Sequence, residues 1–184
     1  MTAPAATQLS TWSIDATHTH VEFAVRHMMV ATAKGHFSDV KGTVEFDGQN
    51  LATASVDVEI AVNSIDTKQT DRDNHLKSAD FFDVANHPTM TFKSTRIVPK
   101  GGSEFDLVGQ LTIRGTTKEV VLAGESNGVL RDPWGMDRAG FSATGKINRF
   151  DFGLHWNAAL ETGGLVVAQD VKIAIELEIV KPAA

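Results

Sequence analysis

Seven histidines are the residues of this chain that most invite chemistry. His18 and His20 stand two apart, and Glu22 continues the spacing. On an extended strand such residues share one face, and imidazole and carboxylate are zinc ligands. The same spacing works against a site, because side chains on one strand face are separated by ~7 Å. We therefore read the three as outward or strand-end polar residues and expect no metal. His27 is in phase with Phe23 and Val25 and is expected to point with them toward the apolar side. There it could hydrogen-bond a ligand head group or a neighbouring backbone group, or act as acid or base if the protein were an enzyme on an apolar substrate. His87 and His155 have no evident partner.

Other catalytic sets are not expected. There is no cysteine, which excludes disulfides, thiolate metal sites and cysteine nucleophiles. Neither a G-x-G-x-x-G fingerprint nor a P-loop is present, and no nucleophile elbow of the α/β-hydrolase kind is expected. Asp71, Asp73, Asp80 and Asp83 cluster in sequence, but a helix N-terminus attracts acids through its dipole. The arginines are scattered. Arg149 stands at the end of an apolar strand, where a guanidinium would suit an anionic head group, and Trp134 and Trp156 are expected to flank that region. The expectation is of a binding protein with no catalytic residues.

Charge narrows the partners. The 184 residues carry 17 basic and 23 acidic side chains, a net charge of −6. No concentrated basic face is evident, so nucleic-acid binding is not expected. The acidic balance argues against permanent adhesion to anionic membranes, and no apolar run is long enough for a transmembrane helix. The N-terminal MTAPAATQLSTW has neither a basic nor an apolar stretch of the secretory kind, and a cytoplasmic location is expected.

The elements that must position these residues follow a period of two. Apolar sets alternate with polar ones at Val21–Val25, Val40–Phe46, Val56–Ile60, Met90–Phe92, Phe105–Ile113, Lys118–Ala123, Phe141–Ile147 and Val171–Ile179. Asp47-Gly48, Gly101-Gly102, Arg114-Gly115 and Asn127-Gly128 supply turn signals between them. Eight strands with one wet face each are antiparallel sheet, closed as a barrel or stacked as a sandwich. A barrel removes the long edge strands that an open sheet would expose. One segment departs from the pattern. Thr70 can cap a short amphipathic helix over 70–79, with Leu76, Ala79 and Phe82 as its stripe and Phe81 beside them, serving as a moving lid or a fixed plug. Residues 1–10 are expected to be a disordered leader, and 11–182 a single domain.

An eight-stranded barrel is either filled by its own side chains or holds one small ligand. Gly42, Gly109, Ala143 and Gly145 lie on faces assigned inward, and small inward residues leave volume that neighbours or a ligand can take. The inward positions expected to line a tunnel are Phe23, Val25, Val44, Val58, Phe92, Leu111, Phe141, Ile147, Ile173 and Ile175, with His27 and Arg149 at its polar end.

Four segments carry a resemblance to a known family. They are HTHVEFAVRHMMVATAKGHFSDVKGTVEFD (18–47), VNSIDTKQTDRDNHLKSADFFDVANHPTMTF (62–92), LVGQLTIRGTTKEVVL (107–122) and FSATGKINRFDFGL (141–154). In this order they resemble the YceI-like, polyisoprenoid-binding family over almost all of residues 11–180. The resemblance implies an extended lipocalin-like antiparallel barrel with an internal tunnel. It implies, as ligand, an isoprenoid quinone, a polyprenyl phosphate or a fatty-acid-like chain, and no further cofactor. It also implies that homodimers are common. Many members carry a secretory signal, from which this chain departs. No catalytic set comes with the resemblance.

Overall fold

The structure, a computed structural model, describes residues 8–181. Most of the expected leader therefore lies outside the described residues, and Ser10 already opens the first strand. Eleven strand segments form one sheet: β1 (Ser10–Ile14), β2 (His20–His27), β3 (Ala31–Phe37), β4 (Val40–Phe46), β5 (Ser55–Ala61), β6 (Ile65–Asp66), β7 (Thr89–Gly101), β8 (Glu104–Ile113), β9 (Thr116–Arg131), β10 (Asp137–Asn148) and β11 (Val167–Lys181). Their pairings reduce to eight long strands. β1 and β2 are two halves of one strand, broken by a 3-10 turn at Ala16–His18, because both pair with β11. β3 and β4 form the second strand, pairing with β2 and β1 respectively. β5 and β6 form the third, with a 3-10 turn at Val62–Ser64 between them. β7 to β11 follow in order, each antiparallel to the last, and β11 returns to β1 and β2. The result is a closed, all-β, lipocalin-like meander of eight strands, with no free long edge to template aggregation.

Several local expectations change. Asn127-Gly128 is not a turn but an irregularity within β9. Gly128 faces Gly140 while Ser126 faces Phe141, so Asn127 is the extra residue, and Gly128 takes φ +101°. A glycine beside an extra residue is how a strand absorbs a bulge, and β9 runs on to Arg131. The hairpin turn comes at 132–136. There Asp132 Oδ1 accepts the N–H groups of Trp134 and Met136. Arg114-Gly115 is a true two-residue turn, both residues left-handed.

The helix α1 (Thr70–Lys77) also differs. Its cap is Gln69, whose side chain accepts from the Arg72 N–H. Asp73 reaches back to the N–H and hydroxyl of Thr67. No residue of α1 is fully buried, and Ala79 is exposed. The apolar stripe sits mainly on the turn after the helix, where Phe81 is buried and Phe82 half-buried. Arg114 Nη1 donates to the Phe81 carbonyl at 3.0 Å, and the Trp156 ring lies 5.3 Å from that of Phe81. These contacts hold the segment against the barrel end.

Candidate functional site

Alternation sends one side chain in two toward the barrel axis. The inward row of β11 is Val171, Ile173, Ile175 and Leu177, opposite Ile147, Gly145, Ala143 and Phe141 of β10. In a filled core these apolar residues would be buried. The four β11 residues are instead only half-buried, and all four line an internal cavity of about 240 Å³. Their remaining exposed surface faces that cavity. Its wall reaches from Leu51, Ala54 and Phe105 at one barrel end to Leu76, Phe81, Phe82 and Leu154 at the other. Along β11 alone it spans Val167 to Leu177. At ~3.3 Å per residue and a tilt of ~40°, that is ~25 Å along the axis. The space is long, narrow and almost wholly apolar.

Of the twelve residues singled out in the sequence, Phe23, Val25, Val44, Val58, Phe92, Leu111, Phe141, Ile147, Arg149, Ile173 and Ile175 stand in this wall. His27 does not. It is half-buried at the end of β2, opposite Ala31 and Val167, and the cavity wall on its strand stops at Val25. The residues missed are of two kinds. Phe46 and Phe105 share the inward phase of sets already recognised. Leu154 comes from the irregular stretch between β10 and β11, where no period exists to mark it.

The inward glycines work differently from expectation. A Cβ on Gly109 would lie 2.5 Å from Phe92 Cζ, and one on Gly35 2.5 Å from Phe23 Cζ. The phenylalanine rings cover the glycines of the next strand. The glycines do not open the cavity; they let large rings lie against the wall, and the cavity is what remains inside.

Among the described residues Arg149 is the one cation in the wall, and it is 4% exposed. Its Nε donates to Ala168 O (2.9 Å), Nη1 to Leu154 O (2.6 Å) and Trp156 O (2.9 Å), and Nη2 to Val167 O (3.1 Å). Its guanidinium lies 4.8 Å from the centre of the Phe150 ring. No carboxylate pairs with it among the described residues, and burial pulls its pKa below the ordinary arginine value. The guanidinium clamps the start of β11 to the loop before it. Trp134 is not its neighbour: it sits on the turn after β9, at the opposite barrel end, 78% exposed. Trp156 packs on His75, ring centres 4.7 Å apart.

The histidine pair at 18 and 20 is split. His18 ends the 3-10 turn, while His20 opens β2. His18 instead joins Asp15 and Glu178 in a trio whose ligand atoms lie within 4.8 Å of one another. Arg138 already bridges both carboxylates, and its Nε reaches Asp132 Oδ2 at 2.8 Å. The cluster is thus an ion-pair network joining the 3-10 turn after β1 and the turn after β9 to β10 and β11. His18, Arg138 and the Thr17 N–H hold the Asp15 pKa down at about 2, against the cost of its burial. Burial also opposes ionisation of Asp132, but Arg138 and the N–H groups of Met136 and Trp134 outweigh it and lower its pKa. Asp132 above all, then Glu178 and Asp15, raises the pKa of Arg138.

One hydrolase-like string is present after all: Gly124-Glu125-Ser126-Asn127-Gly128 has G-x-S-x-G spacing. It lies inside β9 with no helix after it, so it is not the strand-to-helix elbow that exposes a nucleophile.

The model of the YceI-like domain matches residues 12–179. A UPF0312 protein of Staphylococcus aureus is 39% identical over 171 residues, covering 92% of this chain and 97% of the relative. The crystal structure of a Campylobacter jejuni YceI protein superposes with a TM-score of 0.75 at 31% identity, over 85% of this chain and 90% of that one. A polyisoprenoid-binding domain from Saccharophagus degradans, implicated in plant cell wall breakdown, shares the fold at TM-score 0.71 and 16% identity, over 93% and 98%. The chain belongs to the YceI-like family.

Proposed function

We propose that this protein binds a long apolar lipid inside the barrel and stores or transports it without catalysing a reaction on it. The ligand class is a polyisoprenoid, such as an isoprenoid quinone or polyprenyl phosphate, or a fatty-acid-like chain. The observation that carries the reading is the end-to-end apolar cavity, whose inward aliphatic residues keep exposed surface that their own neighbours do not fill. The polyisoprenoid-binding description of the Saccharophagus domain, which shares the fold, supports the same class. Each buried methylene contributes ~0.8 kcal/mol, so a long chain binds tightly with little polar contact, and length and width are read more than chemistry. Arg149 serves as the polar end: a wall cation with no carboxylate partner among the described residues suits a phosphate, carboxylate or quinone oxygen.

The test is solvent extraction of the purified protein followed by mass spectrometry. A prenyl or acyl lipid near one per chain is the expected result. An empty extract, together with no uptake of added quinone or fatty acid, would sink the proposal.

A further inference from the structure

At the barrel end near Arg149, the turn between β2 and β3 presents three apolar residues in a row. Met28 is 39% exposed, Met29 65% and Val30 79%, and Leu165 from the facing loop adds 42%. The turn backbone is as unusual as its exposure. Met28 and Met29 both take left-handed backbone, φ 49° and 60°. Such a turn ordinarily holds Asn-Gly, because a side chain at positive φ is strained. Two bulky apolar residues are here kept where the turn disfavours them and water surrounds them. Neither turn geometry nor packing accounts for that choice.

A basic row lies on the outer face just behind this tip. Lys146 of β10 stands opposite Lys172 of β11, Lys172 opposite Ala24 of β2, and Ala24 opposite Lys34 of β3. Arg26 stands nearer the tip, its Nη2 donating to the Met29 carbonyl at 2.6 Å. Like charges directly opposite one another destabilise a sheet. Of these lysines, Lys146 alone is paired among the described residues, with Asp170. Lys34, four residues beyond Val30 along β3, stands ~10 Å behind the tip along the axis, from strand rise and tilt, and its long stem reaches further toward it. An apolar tip with a cationic collar matches the order of layers in a bilayer surface: anionic head groups outside, acyl chains within. The tip also borders the cavity, since the Met28 N–H donates to Val166 O, next to the wall residue Val167.

We propose that the 28–30 hairpin tip docks this barrel reversibly on anionic lipid bilayers. Met28, Met29 and Val30 enter the interface, and Arg26, Lys34 and Lys172 face the head groups, while Lys146 stays paired with Asp170. Docking itself stands on the tip and the basic row; its use, passing an apolar chain between bilayer and cavity, rests on the function proposed above. The opposite barrel end also exposes Leu130 and Trp134, but beside the carboxylates of Asp15, Asp132 and Glu178. That charge suits an anionic surface poorly.

The test is flotation of the full chain with vesicles of phosphatidylcholine, alone or mixed with phosphatidylglycerol. Binding to the mixed vesicles is expected, and much less to phosphatidylcholine. Met29→Glu with Val30→Glu should weaken it roughly tenfold or more, and Lys34→Glu with Lys172→Glu should abolish the preference for the anionic lipid. Met28→Asn with Met29→Gly should raise the Tm while weakening binding, which separates docking from unfolding. Leu130→Glu should bind as the parent does. Failure of the parent to float with the mixed vesicles overturns the proposal, as does a glutamate tip variant that floats undiminished. A parent dimer that the tip variant splits, with no vesicle binding by either, also overturns it and assigns the tip to a second copy of the chain. None of these outcomes depends on whether lipid is found in the cavity.

Discussion

Arg149→Met tests how the barrel end is held. Methionine keeps much of the aliphatic stem and removes the guanidinium, which now donates to the carbonyls of Leu154, Trp156, Val167 and Ala168. Two effects oppose each other. Removing a buried charge relieves a desolvation penalty. Against that, four carbonyls in a nearly closed site lose a charged donor, and a buried orphan acceptor costs ~1–3 kcal/mol. Four such losses at the lower figure outweigh the relief, and we expect a net destabilisation of ~3–5 kcal/mol, the range seen when buried charge networks are broken. For a chain of this size each kcal/mol moves the Tm by ~2–4 °C, so the melt should fall by ~6–20 °C. Lysine should restore only part, because its single ammonium has three donors and no fork to span both loop segments. Thermal and urea melts of the three proteins, with lipid content measured on the folded fraction, read the outcome. A methionine variant within ~1 kcal/mol of the parent would refute the clamp and show that water satisfies those carbonyls. A variant that folds but loses anionic lipids while retaining neutral ones would identify the guanidinium as the head-group contact.

Phe141 is 8% exposed and lies 6.2 Å, ring centre to centre, from both Phe46 and Phe105. Phe141→Arg places a charge in that apolar wall, so circular dichroism should show a large loss of Tm or the folded variant should retain no lipid; a stable variant that binds normally would contradict its inward direction. Gly109→Ala brings a methyl to 2.6 Å from the Lys93 carbonyl as well as onto the Phe92 ring, while Gly145→Ala meets chiefly the mobile end of Leu122 at 2.4 Å. The first should cost ~1–3 kcal/mol and the second clearly less; equal costs in chemical melts would show that the backbone contact yields as easily as the side chain. The Asp15 pKa is lowered from 3.8 to about 2. A carboxyl held lower in the folded state stabilises at pH above its unfolded value, and that stabilisation is lost as pH falls through the folded one. Stability should therefore drop between about pH 4 and pH 2, and Arg138→Met, which breaks the network, should lower neutral stability and flatten this acid limb; an unchanged acid limb would remove the network from the account.

Much of the barrel was legible in the sequence because alternation is a local property. Each inward row, such as Val171, Ile173, Ile175 and Leu177, shows its phase without reference to any partner. The ring of strands was less visible. The break at Ala16–His18 that lets β1 and β2 share β11 leaves no strong periodic mark, and Asn127-Gly128 reads as a turn although it is a bulge. A left-handed glycine serves both, and only the partner strand distinguishes them. The helix stripe was misplaced for a related reason: Phe81 and Phe82 carry the apolar contact from a turn, where helical spacing has no meaning.

The sequence by itself determined the period, the strand count, the inward phase of eleven wall residues and the resemblance to a family, because these depend on residue type and spacing along one chain. The tertiary structure alone decided whether the inside was empty. Whether Phe92 fills the space over Gly109 or leaves it open depends on two strands meeting at one register. It also decided the place of His27 and the partners of Arg149. His27 shares the phase of Val25 but stands past the end of the cavity wall, and the four carbonyls that hold Arg149 belong to segments whose approach no local pattern records.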